Sequence, residues 1–410
     1  MGVKGDRMFW TMKKKAYRTT HSMMNVVLPL VKLPEPQVIS GSGSINRIPE
    51  LVKKQGVKHV LLVTDQVLMD LGLLESLIRQ LEEKKVGYRV FAGVQPNPTI
   101  QNIEDGLREY QSGLCEGSVA IGGGSPMDCA KIIGARVADP QKSVRRMKGK
   151  FKIRGTLPLM IMVPTTAGTG SETTVVAAIT DPEFHEKFAI GSLKLVPEFA
   201  VLDPDLMAGL PPAITATTGM DALTHAVESY INVIGTPFTD EKSEKAVKLI
   251  FDNLETAYRD GANLESRNNM ALASFYAGCA FTRALVGYAH AISHNLGGFY
   301  NTPHGLANSI LLPHVLEFSR IDAEKKLASL AIAGGIGTKG ESDKVLSGRF
   351  IDRVKYMNRS MNIPQTLEEL KEKDIPLIAK RAVKEANPDY PVPTIMNQKD
   401  CEKLLRKLLP

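Results

Sequence analysis

Residues 118–137 read SVAIGGGSPMDCAKIIGARV, and the order of residue types within them decides the fold. Ser118–Ile121 is a short apolar run of the kind that is buried in a sheet. Met127–Val137 carries helical spacing, and a glycine-rich turn joins the two. Glycines at 122, 123 and 124 let the backbone turn tightly and approach a ligand without Cβ clashes. Ser125 suits an N-cap, Pro126 the first helical position and Asp128 the third, a capping-box-like start. Free backbone N–H groups and the helix dipole at such a start suit an anion of the pyrophosphate type. The pattern is neither GxGxxG nor a Walker loop, because Lys131 stands at the wrong spacing. Alone, such a turn is as often purely structural.

On either side of this unit the alternation continues. Lys58–Thr64 reads as a buried strand, Gly72–Lys85 as an amphipathic helix, Tyr88–Phe91 as a strand, Ile103–Ser112 as a helix and Leu157–Val163 as another strand. Strands separated by helices of ten or more residues imply a parallel, Rossmann-like sheet with right-handed crossovers. Thr165-Thr166-Ala167-Gly168-Thr169-Gly170-Ser171-Glu172 then offers hydroxyls and pliable backbone at a second strand's carboxyl end, where ligands of open α/β sheets gather. Asp65, closing the Lys58–Thr64 strand, has two readings: an acceptor for an adenosine ribose that repels a 2′-phosphate, or a turn aspartate.

After about residue 205 strand candidates vanish. Ala213–Ile231, Glu241–Asp260, Leu264–Ala284, Asp322–Ala333 and Asp343–Met361 all carry helical periodicity. The proline-rich stretch Asp203–Pro212 marks the boundary. The expected organisation is a basic, poorly ordered extension over 1–32, an α/β dinucleotide-binding domain over 33–207 and an all-α metal-binding domain over 208–410.

A chain of 410 residues exceeds the roughly 250–300 at which one core stops growing, in keeping with two domains. The net charge is +7, yet seven Lys and Arg against Asp6 leave +6 in residues 1–32 and +1 in the rest. A nearly neutral body argues against nucleic acid or a membrane as partner. No apolar run reaches the ~18–20 residues that span a bilayer. Val26–Val31, broken by Pro29, does not make a secretory signal. Cys115, Cys129, Cys279 and Cys401 show no paired spacing, which suits reduced thiols and a cytoplasmic setting. A homodimer or higher homo-oligomer is expected.

Of eight histidines, five lie between 225 and 314. Asp221 and His225 stand four apart in helical context, and His290 and His294 repeat that spacing, so each pair projects from one helix face. His304 follows in TPHG. A carboxylate with several imidazoles suits Fe²⁺ or Zn²⁺. Two such pairs outweigh the plainer reading of satisfied core histidines. The chemistry they invite is alcohol oxidation, in which a divalent cation lowers the pKa of a hydroxyl and, in reverse, polarises an aldehyde. NAD would take the hydride, and a further histidine could pass the proton to solvent.

From about Pro36 onward the chain resembles the iron-containing (group III) alcohol dehydrogenases. The resemblance rests on VTD (63–65), PNPT (96–99), GGGSPMD (122–128), PTTAGTGSE (164–172), TGMDALTHAVE (218–228) and GYAHAISHNLGGFYNTPHG (287–305). It implies an NAD- and divalent-metal-dependent oxidoreductase interconverting a small primary alcohol or diol and its aldehyde, with its active site in a cleft between the domains. The family's metal ligands fall on Asp221, His225, His290 and His304, with Fe²⁺ expected and Zn²⁺ possible. His294 would sit near the nicotinamide as the catalytic histidine. NAD contacts map to Asp65, Asn97, Gly123, Gly124, Ser125, Thr165, Thr166, Thr169 and Lys187. Three relatives of the same architecture fit less well: glycerol dehydrogenases have a different zinc pattern, maleylacetate reductases lack the metal set, and dehydroquinate synthases cyclise a sugar acid. A non-enzymatic binding module using the basic arm would leave the metal constellation unexplained.

Overall fold

The structure is a computed structural model describing residues 3–184 and 186–410, with side chains from residue 10 onward except at Pro29. The chain forms two compact units. One comprises residues 33–210 and 261–278; the other holds residues up to 32 together with 211–260 and 279–410. The boundary stands at Leu210/Pro211, three residues beyond the expected one, and the α/β unit also takes in 261–278.

The strands are β1 (Gln37–Ser40), β2 (His59–Val63), β3 (Gly87–Phe91), β4 (Gly117–Gly122), β5 (Gly149–Lys150), β6 (Leu159–Pro164), β7 (Val176–Asp181), β8 (Glu186–Gly191) and β9 (Phe199–Leu202). Six of them make a sheet in the order β1-β9-β6-β4-β2-β3. Every pairing in it is parallel. β5, β8 and β7 form a small separate sheet that the sequence reading did not foresee. The expected α/β class is what the structure shows. All six residues of β4 and of β6 are buried, and strands covered on both faces read as continuous apolar runs. Period-two alternation sends Leu61 and Val63 into one core and Val60 and Leu62 into the other. From β2 the chain runs outward to β3, and from β4 it runs the opposite way toward β6. The carboxyl ends of β2 and β4 therefore flank a topological switch point, the crevice where such sheets bind ligands.

Before the sheet comes α1 (Val3–Val27). Its helices are α2 (Ile48–Lys54), α3 (Gln66–Asp70), α4 (Glu75–Glu83), α5 (Ile100–Ser112), α6 (Gly124–Ala138) and α7 (Val144–Met147). The helical unit is built from α8 (Pro212–Ile231), α9 (Pro237–Arg259), the end of α10 (Leu264–Ala284), α11 (Tyr288–Tyr300), α12 (His304–Ala333), α13 (Asp343–Ser360), α14 (Ile375–Ala386) and α15 (Gln398–Arg406). Fifteen of the 20 residues of α8 are buried, as suits a helix apolar nearly all round. α12 runs 30 residues, through Pro313. The reading from Asp322 onward caught only its second half, because an interior proline ordinarily signals a helix end. Among the described residues no single helix is long and apolar enough to cross a membrane. All four cysteines are buried and none is in a disulfide.

The extension over 1–32 was expected to be poorly ordered; its described residues Val3–Leu30 are helical. α1 continues for 25 residues, and its covered positions Trp10, Tyr17, His21 and Met24 recur at helical spacing, a row that Leu28 extends in the 3-10 turn that follows. Arg18 donates to the carbonyls of Val392 (2.7 Å) and Pro393, and His21 bonds the carbonyl of Pro388 at 2.9 Å. Charge counting alone hid this face.

Candidate functional site

In the α/β unit the mapped nucleotide residues converge on the start of α6. That helix begins at Gly124 with Gly123 as N-cap, and no side chain caps it. The expected start at Ser125–Asp128 is therefore corrected. Helical φ/ψ begins earlier because glycines accept it, and Ser125 Oγ instead accepts the Asn97 N–H at 3.3 Å. Asp128 does not fold back on the helix: its carboxylate accepts from Ser171 Oγ (2.7 Å) and from the Ala178 N–H (2.8 Å). The first-turn N–H groups thus remain turned toward whatever occupies the crevice. Gly122 has φ +149°, and a Cβ there would fall 2.6 Å from Pro126 Cγ; the turn requires glycine.

The other mapped residues close around this helix end. Asn97, in the left-handed region at φ 58°, accepts from Lys187 Nζ at 2.8 Å through its Oδ1. Thr165 N–H donates to the Gly122 carbonyl at 3.0 Å. A Cβ on Gly123 would lie 3.6 Å from Thr166 Oγ1, and one on Gly124 would lie 3.4 Å from Thr169 Cγ2. Asp65 follows β2, the neighbour of β4. One of its oxygens caps α3 by accepting from the Leu68 N–H at 3.0 Å.

The role of one residue of this region escaped the sequence reading. Lys131, fully buried, donates from Nζ to the carbonyls of Ser171 (2.6 Å) and Thr174 (3.1 Å) and to the Thr174 hydroxyl (2.7 Å). It pins the stretch after the threonine-rich loop to α6. Burial pushes its ammonium down to about 8, opposed by the nearby Asp128 and Glu172 carboxylates. Glu172 is itself buried with neither carboxylate oxygen hydrogen-bonded, and burial pushes it up to about 7.

In the helical unit Asp221, His225, His290 and His304 each offer an atom within 4.8 Å of all the others. Asp221 and His225 lie on α8, His290 on α11 and His304 at the first position of α12. Gly305 lets α12 start hard against α8, since a Cβ there would fall 2.6 Å from the Thr217 carbonyl. Asn308, one turn beyond His304, donates to Asp221 Oδ1 at 2.7 Å and lies 3.1 Å from His304 Nε2. His290 Nδ1 meets Glu228 at 2.6 Å. Its Nε2 is buried with no hydrogen-bond partner, and burial together with the neighbouring imidazoles holds the ring well below the usual histidine range. A carboxylate and three imidazoles gathered within this span fit a divalent cation of the iron or zinc kind.

His294 stands apart from that set. Its ring stacks on His304 at 5.2 Å between centroids, its side chain is 44% exposed, and its Nδ1 meets Glu385 of α14 at 2.6 Å. Glu385 also accepts from Tyr390 and Asn295. Glu228 could have been singled out as the third position, after Asp221 and His225, on one face of α8; nothing local marks Glu385.

A nucleotide-type crevice in an α/β unit and a four-donor cluster in a helical one are the parts of a metal-assisted dehydrogenase. Comparison with known proteins makes the class specific. Residues 35–204 match the iron-containing alcohol dehydrogenases, and residues 215–409 match the C-terminal region of the Fe-containing alcohol dehydrogenase family. The chain belongs to this family, whose relatives carry out alcohol and aldehyde oxidoreduction. It is 38% identical over 392 residues to 1,3-propanediol dehydrogenase of Citrobacter freundii, covering 95% of this chain and 99% of that one. The crystal structure of a 1,3-propanediol oxidoreductase superposes with a TM-score of 0.88 at 37% identity, covering 92% and 99%. Sulfoacetaldehyde reductase from Bifidobacterium kashiwanohense, solved in complex with NAD⁺, gives a TM-score of 0.83 at 28% identity, covering 92% and 98%.

Proposed function

We propose that the protein is an NAD- and divalent-metal-dependent dehydrogenase that interconverts a small primary alcohol or diol and its aldehyde. The observation that carries this reading is the gathering of ligand atoms from Asp221, His225, His290 and His304 within 4.8 Å of one another. These four would hold Fe²⁺, or Zn²⁺, which would supply Lewis acidity toward a substrate oxygen, and NAD would supply the hydride acceptor. Gly123, Gly124 and Ser125, at the uncapped end of α6, would receive the pyrophosphate. Asn97, Thr165, Thr166, Thr169 and Lys187 would close around the nucleotide, and Asp65 would address the ribose. His294, half-exposed and braced by Glu385, would carry the alcohol proton toward solvent. The propanediol-active relatives support a diol or short alcohol, and the NAD⁺ complex of a structural neighbour supports the cofactor. The test is turnover of a panel of short alcohols and diols with NAD and NADP, before and after chelation. Activity should vanish in metal-free protein and return with Fe²⁺ or Zn²⁺; undiminished activity without metal would overturn the reading.

A further inference from the structure

We propose that Glu228 is a positioning residue for the metal centre: it fixes the His290 ring so that a bare Nε2 faces the ligand cluster, and it ties the two ligands of α8 to the helix that carries the third. The inference rests on the metal-dependent reading above and assigns a part that the four ligands alone do not supply.

Three groups meet this one carboxylate, from the N-cap and first turn of α11. The Gly287 N–H reaches Oε2 at 2.7 Å, the Ala289 N–H reaches Oε1 at 2.7 Å, and His290 Nδ1 lies 2.6 Å from Oε2. Glu228 is 1% exposed, and an acid so deeply buried is tolerated only with such compensation. The positive end of a helix is where a carboxylate is best placed. The approach is close enough to constrain the chain: a Cβ on Gly287 would stand 2.8 Å from Glu228 Oε1. With Nδ1–H donating to the carboxylate, the tautomer leaves Nε2 as a lone pair, which is what a metal ligand must offer. Asp221, His225 and Glu228 follow one another at four and three residues along α8, so they share a face. One rigid helix thereby sets two ligands directly and the third through its brace.

A purely structural cap would lower stability and leave metal affinity alone, so the decisive readout is binding. Metal-free wild-type protein and Glu228→Gln, both full-length, are titrated with Co²⁺ and followed by its visible absorption, with thermal unfolding measured alongside. An outer carboxylate of this kind is typically worth roughly 10–100-fold in metal affinity; that loss is expected in the variant, with an altered Co²⁺ spectrum. Equal affinity and identical spectra in the two proteins overturn the inference and leave the metal-dependent reading standing. Failure of wild-type protein to bind Co²⁺, Fe²⁺ or Zn²⁺ overturns that reading, and the inference with it. Should Glu228→Gln not fold, ¹⁵N-histidine NMR of metal-free wild type, assigned against His290→Asn, reads the tautomer directly. An Nδ1–H signal for His290 is expected, and an Nε2–H signal overturns the inference.

Discussion

The crevice of the α/β unit and the cluster of the helical unit are built from different materials. Around α6 the groups turned toward a ligand are largely main chain: the uncapped N–H groups from Gly124 onward, reached past glycines. In the helical unit everything that counts is side chain, four donors from three helices held by Asn308 and Glu228. A main-chain site is spoiled by adding atoms, whereas a side-chain site is spoiled by removing them. The contrast orders the expected consequences of mutation.

The largest effect should follow removal of one donor. His225→Ala is expected to abolish measurable turnover and to deplete bound metal, checked by metal analysis of purified protein; a variant that keeps its metal and its rate would break the contrast outright. Next comes His294→Ala. General acid–base help is worth roughly 10²–10⁴ in rate, so kcat should fall by that order and its pH profile should change while metal content stays near normal. Equal metal loss in His294→Ala and His290→Ala would move His294 into the ligand set.

In the α/β unit the direction reverses. A Cβ on Gly123 meets no atom nearer than 3.6 Å, so Gly123→Ala should leave thermal unfolding unchanged. The added methyl intrudes only on a bound nucleotide, and KM for NAD should rise about tenfold, equivalent to about 1.4 kcal/mol, with little change in kcat. Unchanged KM would show that the pyrophosphate lies elsewhere. Asp65→Ser sharpens the point, because serine keeps the cap on α3 and discards the charge. The ratio of catalytic efficiencies, NADP over NAD, should rise on the order of tenfold as like-charge repulsion is relieved; a constant ratio would confine Asp65 to its turn.

The smallest effect concerns stability. Burial raises the Glu172 carboxyl from its ordinary 4.5 to about 7. A folded-state value above the unfolded one stabilises the fold below about 4.5, and that contribution is lost as pH rises through about 7. Glu172→Gln has no such dependence. Its unfolding free energy relative to wild type should improve between pH 4.5 and pH 8, by on the order of 1–3 kcal/mol. A flat difference across that range would mean the carboxylate is not the buried charge described.

Much of this was legible along the chain because its physics is local. β2, β4 and β6 are apolar runs, the glycine turn is contiguous, and Asp221 and His225 reveal themselves by spacing. What stayed hidden depends on partners distant in sequence. Glu228 meets His290 62 residues on, Asn308 meets Asp221 87 residues back, and His294 meets Glu385 91 residues on. The spacing of Lys131 only excluded a Walker loop; its role rests on carbonyl partners at Ser171 and Thr174. α12 was cut short by Pro313, and the N-terminal helix was masked by its charge, which outweighed a covered face spaced at Trp10, Tyr17, His21 and Met24.

That helix also has a place in the timing of synthesis. Arg18 and the carbonyl it binds at Val392 are 374 residues apart. At roughly 5–20 residues per second a ribosome needs about 20–75 s to cover that interval. For that time the docking segment of α1 does not yet exist. The helix's seating on the Pro388–Pro393 segment therefore waits until that distant stretch has been made.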